Sequence, residues 1–396
     1  MNKRNVLNCI QENQPINRSA IARMVGLSIP AVMTITDELL KHGIIQSVGK
    51  VGSGVGKHPE LFTICGEHFR YVGVDVGRIT TRVVITGQDG EILASTQKST
   101  ENAEEPLKCV DNISEQVEMT LKKSGIERKT VVGVCVAMPG LIESDTGTVI
   151  FSPDFGWKDV PLEEWMQERL KPFHVVVRNA NRAQARWETR PGRKNKESTI
   201  FCVGLGYGIG SAIISNGEMY YGSSGTSGEI GHIIVNPSGP VCLCGNSGCL
   251  EAVASGRAIA EQAKQIVQNG SDTVLKKLCK GDVESITAKM VFEAAVLQDE
   301  IAMRLIDQAE KYIGIALATA INMLDPDTIY LWRGMMKNGD DFLNRIKKYT
   351  RERQMHLAGR HVVILPGSKE DMNVACGATL MIQDSGSEFD ALSFLY

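Results

Sequence analysis

Apolar and polar positions follow two different periods along this chain, and the change of period divides it near residue 66. Residues 1–45 show helical spacing. Val6, Leu7 and Ile10 form an apolar stripe on a first helix. A second helix is predicted from Ser19 to Val25, with Ile21, Ala22 and Val25 inward and Asn17 as its N-cap. Gly26 allows a tight turn, Leu27 plugs the core, and Ser28 caps a third helix over about Ile29–His42 that Gly43 ends. Ile44-Ile45 begins a strand, and Val48–His58 reads as a glycine-rich wing. Helix, turn, helix and wing describe a winged helix-turn-helix. From about Phe69 the period shortens to two. Tyr71–Gly77 is a strand carrying Asp75, Thr81–Thr86 a second, and Glu91–Ser95 a third after an Asp89-Gly90 turn. A helix over Pro106–Lys123 leads to a buried strand, Thr130–Ala137. The theme returns at Ser198–Val203, where Gly204, Gly206, Gly208 and Gly210 separate a strand from Ser211–Ile214. Two strand–glycine–strand units imply two related lobes around a cleft.

Length and composition refine this picture. The 396 residues are too many for one compact core, and 43% hydrophobic with 22% charged residues excludes wholesale disorder. The net charge of -3 is unevenly spread: residues 1–66 carry seven Lys/Arg against four Asp/Glu. A basic head on an acidic body suits a nucleic-acid binder. No run of 18 apolar residues exists, and the N-terminus is polar, so neither a membrane span nor secretion is expected. The expected location is cytoplasmic, with the ten cysteines as reduced thiols.

In the head, the exposed early positions of the third helix are Ile29, Pro30, Ala31, Met33 and Thr34, and the DNA-facing set is expected to be Ser28, Ile29, Ala31, Met33 and Thr34. They include no Arg, Lys, Asn or Gln for bidentate base contacts. Ala31, Met33 and Thr34 suit thymine methyls, and Lys50, Lys57 and His58 on the wing suit phosphates. The alternative is a three-helix unit used for protein contacts. In the body, the glycine run allows a ligand or phosphate to approach the backbone, or simply turns the chain between strands.

The cysteines are more specific. His232 is followed by Cys242, Cys244 and Cys249, three thiols crowded into a loop rich in Gly and Pro. One His and three Cys within eighteen residues form a closed Cys3His set, which predicts one structural zinc per chain. Ordinary buried thiols are the competing explanation.

The chain resembles the ROK family of bacterial sugar kinases and sugar-responsive repressors over nearly its whole length. The resemblance rests on Glu229-Ile-Gly-His232, Gly239-Pro240, Cys242-Leu-Cys-Gly245, Gly248-Cys-Leu-Glu251 and Ala254-Ser-Gly256, with Pro139-Gly140, Gly147-Thr-Val149 and Asn179-Ala-Asn181. It implies a winged helix-turn-helix (residues 1–66) followed by a two-lobed, actin-like and hexokinase-like α/β body (residues 67–396). It further implies that zinc is held by His232, Cys242, Cys244 and Cys249, and sugar hydroxyls by Glu229, His232, Glu251 and the loop at Asp154. A histidine can serve both, one ring nitrogen on the metal and the other toward the sugar.

The kinase machinery departs from the family's pattern. Asp-x-Gly-Gly-Thr is here Asp75-Val76-Gly77-Arg78-Ile79, Gly-Thr-Gly is Gly204-Leu205-Gly206, and the adenine-side Gly-Gly is Arg333-Gly334. The family's general base falls on Asn179, whose amide cannot take a proton at neutral pH, a loss worth about 10²–10⁴ in rate. The alternative is that a neighbouring carboxylate substitutes, with Asp154 the obvious candidate. Arg178 would bind an anionic group on an effector, or pair with Asp154 or Glu229. The wing's usual Gly-Arg-Arg-Pro is Gly56-Lys57-His58-Pro59, which keeps the charge in part. The resulting expectation is a non-enzymatic, sugar-responsive repressor that binds operator DNA as a homodimer or dimer of dimers through surfaces such as Ile301–Met323. The alternatives are an ATP-dependent sugar kinase with an accessory head, and a scaffold for another protein.

Overall fold

The computed structural model describes residues 2–50, 59–66, 69–190, 198–356, 361–368 and 370–384. The head contains helices Asn2–Asn13, Arg18–Val25 and Ile29–Lys41, and strands Ile16–Asn17, Ile45–Lys50 and Glu60–Ile64. Glu60–Ile64 is the middle strand, antiparallel to both others. Lys57 and His58, at the expected wing tip, lie outside the described residues. Both expected caps form. The Asn17 side chain accepts from the Ala20 amide at 2.9 Å, and the Ser28 hydroxyl from the Ala31 amide at 3.4 Å. Each satisfies a donor that the first helical turn leaves orphaned. The second and third helices lie 116° apart, a helix-turn-helix angle. Val6, Ile10, Ile21 and Val32 are fully buried between them.

Two five-stranded sheets form the body, and they repeat one topology. In the first, Arg70–Val76 is central. It runs antiparallel to Thr80–Thr86, which pairs with Ile92–Ser99, and parallel to Val131–Met138, which pairs with His174–Asn179. In the second, Thr199–Leu205 is central, with Ile209–Ser215 and Glu218–Tyr220 on its antiparallel side and Thr328–Trp332 and Val363–Pro366 on its parallel side. Parallel neighbours need a long crossover. Helix Pro106–Ser124 lies within that connection in the first lobe, and the 25-residue helix Glu300–Leu324 within that of the second. All eight residues of Val131–Met138 are buried, as a strand covered on both faces requires.

A small antiparallel sheet of Leu141–Ile142, Val149–Ser152 and Trp157–Val160 hangs from the first lobe, and Asp154 sits in its second turn. Its strands are too short to show a period, which is why the sequence pattern did not predict it. The C-terminal helix Asn373–Asp384 returns to the first sheet and packs at backbone contact. A Cβ on Gly73 would lie 1.9 Å from the Ala375 carbonyl oxygen, and one on Gly377 1.8 Å from that of Ala183. Buried residues of the head, the first sheet and this helix form one cluster, from Val6 and Phe62 through Phe69 and Tyr71 to Ile382. No single helix among the described residues is long and apolar enough to cross a membrane.

The close packing at Gly377 gives a direct test. Gly377→Ala should destabilise the body by about 1–3 kcal/mol, the usual cost of overpacking. Urea unfolding measures it, and an unchanged midpoint would contradict the packing.

Candidate metal cluster and ligand cleft

The second lobe brings the four expected metal ligands together. His232 ends a short 3-10 turn, Ile230–His232. Cys242 and Cys244 lie in a tight loop in which the Cys242 amide donates to the Asn246 carbonyl at 2.7 Å and the Gly245 amide to the Cys242 carbonyl at 2.9 Å. Cys249 immediately precedes helix Leu250–Ala254. Cys242 Sγ is 3.6 Å from His232 Nδ1, and Cys244 Sγ is 3.6 Å from Cys249 Sγ. All four ligand atoms lie within 4.8 Å of one another, the one such set among the described residues. Disulfide sulfurs would be about 2.05 Å apart, so these are separate thiols. A tetrahedral ion with bonds of about 2.0–2.3 Å holds its ligand atoms about 3.5–3.8 Å apart, and the set fits. Burial, then the Cys244 and Cys242 thiols, push Cys249 up to about 12. Thiols this crowded ionise together only around a cation.

With Nδ1 turned to Cys242, the Nε2 side of the ring is left free of the cysteines, and Glu229 lies close to this histidine. Burial raises the Glu229 carboxyl, His232 and Arg182 oppose it, and Glu251 adds to it. Glu251 is buried, and its Oε2 accepts from the Ile209 amide at 2.9 Å. A Cβ on Gly208 would lie 2.6 Å from that oxygen, and one on Gly210 would lie 2.1 Å from Asn181 Nδ2. The glycine run therefore makes room for Glu251 and Asn181. Asp154 approaches from the first lobe: burial and then Glu251 raise its carboxyl, while Arg333, Arg257 and Arg78 lower it. Glu229, His232, Glu251 and Asp154 thus form one electrostatic neighbourhood.

Asn179 and Arg178 are committed elsewhere. Asn179 Oδ1 accepts from the amides of Asn181 (2.8 Å) and Arg182 (3.2 Å), capping helix Ala180–Glu188, and Nδ2 donates to the Gly140 carbonyl at 2.8 Å. One amide hydrogen remains. Arg178 pairs with Glu163 at 3.6 Å and donates to the Val177 carbonyl at 2.8 Å, so its partner is neither Asp154 nor Glu229. Arg182, which the sequence pattern did not single out, is buried. It donates to the Gly225 carbonyl and stacks on Tyr221 with its guanidinium carbon 4.7 Å from the ring centre.

In the head, Ile29, Met33 and Thr34 are exposed and Ala31 half-buried. Ser28 spends its hydroxyl on the cap, and Thr34 returns its own to the Pro30 carbonyl at 3.1 Å. The outer face of this helix over residues 29–34 is thus apolar in chemistry as well as in sequence, and charge returns only at Asp37 and Lys41. Lys50 ends its strand opposite Glu60. Two head cations are used internally: Lys3 pairs with Glu38 at 2.7 Å, and Arg18 bonds Thr36 at 2.7 Å, pairs with Asp37 and covers the Phe62 ring.

Comparison with known proteins fits this geometry. The ROK family profile matches residues 71–385, and a winged helix-turn-helix DNA-binding profile matches residues 2–46. The chain belongs to the ROK family. It is 28% identical to the xylose repressor of Caldicellulosiruptor bescii over 383 residues, 96% of this chain and 95% of that one. It is 34% identical to the glucokinase of Halalkalibacterium halodurans over 280 residues, 70% of this chain and 84% of that one. Among solved structures, a ROK family transcriptional regulator homologous to the Escherichia coli MLC protein superposes with a TM-score of 0.76 at 24% identity, covering 100% of this chain and 97% of that one. The glucokinase alignment spans a share of this chain close to that of the ROK match, whereas the repressor alignment takes in the head as well.

Metal analysis after exhaustive dialysis should find one divalent transition-metal ion per ROK chain. Cys249→Ser should lose at least half of it and lower the melting temperature, since ligand binding here is also folding energy. Full metal content in that variant would overturn the ligand set.

Proposed function

We propose that this chain is a sugar-responsive transcriptional repressor. Residues 1–66 bind operator DNA, and residues 67–396 bind a sugar or sugar derivative without phosphorylating it. The observation that carries this reading is Asn179. It stands where the family's kinases keep their base, and its amide is spent on a helix cap and the Gly140 carbonyl. An amide so placed cannot take the proton of an attacking hydroxyl. The sugar-holding groups beside it remain: Glu229, Glu251 and Asp154 offer oxygens to hydroxyl hydrogens, and His232 offers Nε2. The kinase reading draws on the glucokinase relative, but it needs a base that Asn179 does not supply.

Zinc is the metal that suits three thiolates and an imidazole in a closed tetrahedral set. It would be held by His232, Cys242, Cys244 and Cys249, would keep the His232 ring aimed into the cleft, and would take no part in chemistry. On DNA, Ile29, Ala31, Met33 and Thr34 would meet thymine methyls in the major groove, and Lys50, Lys57 and His58 phosphates beside it. One such head neutralises few phosphates, so a homodimer reading a palindrome is the working cytoplasmic form, with Glu300–Leu324 as a candidate contact. Sugar closing the lobes over Glu229, His232, Glu251 and Asp154 would re-aim the heads and weaken operator binding.

Two measurements test this reading. Operator binding in the presence of a panel of sugars and sugar phosphates should fall about tenfold with the effector, which requires about 1.4 kcal/mol of differential ligand binding. Glu251→Ala should abolish that response while leaving ligand-free operator binding intact, and a response surviving Glu251→Ala undiminished would contradict the site. Isolated residues 1–66 should bind operator at least about 100-fold more weakly than the full chain. Equal affinity would remove the case for a dimer.

A further inference from the structure

The ten cysteines differ in access. Eight are buried, Cys65 is half-buried, and Cys244 alone is exposed. Burial pushes Cys109 and Cys376 up to about 11 and Cys135 up to about 12, so these remain protonated, inert thiols. Cys244 has the opposite surroundings. Its neighbours Val241 and Leu243 are exposed as well, so the tip of the loop stands in solvent. Cys242 and Cys249 are buried, which leaves Cys244 as the one sulfur of the cluster that a dissolved reagent meets directly.

A second thiol lies behind the exposed one. Cys244 Sγ is 3.6 Å from Cys249 Sγ, whereas Cys242 Sγ lies 3.6 Å from His232 Nδ1. The cluster thus divides into two pairs. Metal-ligand spacing accounts for the closeness of the sulfurs but not for the exposure of one of them. The loop between Cys244 and Cys249 is loose at one end and pinned at the other. A Cβ on Gly245, at φ +96°, would meet nothing within 4 Å, and one on Gly248, at φ +72°, would lie 1.6 Å from the Asn236 carbonyl oxygen. Cys244 therefore has room to move while Cys249 is held. A shift of about 1.5 Å brings the two sulfurs to disulfide distance.

We propose that Cys244 and Cys249 form a peroxide-responsive pair within the metal cluster, in which Cys244 is attacked first and Cys249 resolves it. The Cys244 thiolate attacks one peroxide oxygen. An S–O bond forms, the O–O bond breaks, and the leaving oxygen takes a proton to become water, giving a sulfenic acid. The Cys249 thiolate then attacks Cys244 Sγ. An S–S bond forms, the S–O bond breaks, and hydroxide leaves and is protonated to water. In sum, two thiols and one hydrogen peroxide give one disulfide and two waters, the sulfurs being oxidised and the peroxide reduced. His232 and Cys242 then remain as ligands, too few for a closed tetrahedral site, so a bound ion is released. Cys249 also sits between two backbone bonds, Val235 to Gly248 and Leu250 to Ile233, so drawing its sulfur away acts on the segment that carries Glu229 and His232. The proposal needs neither DNA nor a sugar, so its failure and that of the repressor reading are separable.

Hydrogen peroxide added to the metal-loaded, full-length protein tests it. Peptide mapping after alkylation should find Cys244 joined to Cys249, with two of the ten thiols lost. A chelating dye should read one ion released per cross-link, and dithiothreitol with zinc should restore both thiols and metal. Cys65 should oxidise at least about tenfold more slowly than Cys244. Hydrogen exchange over residues 229–235 should rise about fivefold or more on oxidation and stay unchanged over residues 131–138. Cys244→Ser should release no ion at the same dose. Should that variant take up no metal, cross-link mapping of the wild type still reads the pair. Sulfonic acid at Cys244 without a cross-link, a cross-link between other cysteines, or release from metal-loaded Cys244→Ser at the wild-type rate would each overturn the proposal.

Discussion

The ligand cleft depends on how residues 229–235 are tied to residues 247–251. The Val235 amide donates to the Gly248 carbonyl at 3.0 Å, and the Leu250 amide to the Ile233 carbonyl at 2.9 Å. Cys249 lies between these bonds and His232 immediately before Ile233, two of the four residues of the Cys3His cluster. The clamp adjoins three groups at once: Glu229 and His232 precede Ile233 on one segment, and Glu251 follows Leu250 on the other. Without such a tether, two acidic side chains and an imidazole on a loop would each lose orientation independently. A metal joining both segments would remove that freedom. On the proposed reading the cluster would then be a framework that orients these groups rather than a reacting centre.

The two lobes share a topology but divide their work. The second carries the Cys3His cluster, Glu229, His232 and Glu251, and the first contributes Asp154, Asp75 and Asn179. Where a phosphoryl-transfer cleft needs a proton acceptor and open donors for phosphate, this one has an amide locked to Gly140 and an arginine over Gly206. Both changes leave Glu229, Glu251 and Asp154 in place. On the proposed reading, a cleft of this kind would close to signal rather than to react, with the fused head as the readout.

Much of this was legible in the sequence because it is local. Asn17 and Ser28 cap the helices that follow them, and the Cys3His spacing predicted a compact cluster. The two glycine-turn units predicted two lobes, which the repeated sheet order bears out. What escaped depends on residues far apart in the chain. Arg178 pairs with Glu163, Arg182 reaches Gly225, and Arg333 lies over Gly206, partners that spacing along a chain cannot reveal. The glycine run was ambiguous for the same reason. Its occupants, Asn181 and Glu251, come from elsewhere in the sequence. The sheet of Leu141–Val160 stayed hidden because strands of two to four residues carry no period.

The central claim is that this cleft binds sugar and does no chemistry. The most direct measurement is sugar-dependent ADP release with magnesium and ATP, run across hexoses, pentoses and amino sugars with the metal-loaded full-length protein. The account predicts no release above the sugar-free background for any of them, including the sugar that weakens operator binding. Steady turnover with that sugar would contradict it and make the protein a kinase that carries a DNA-binding head.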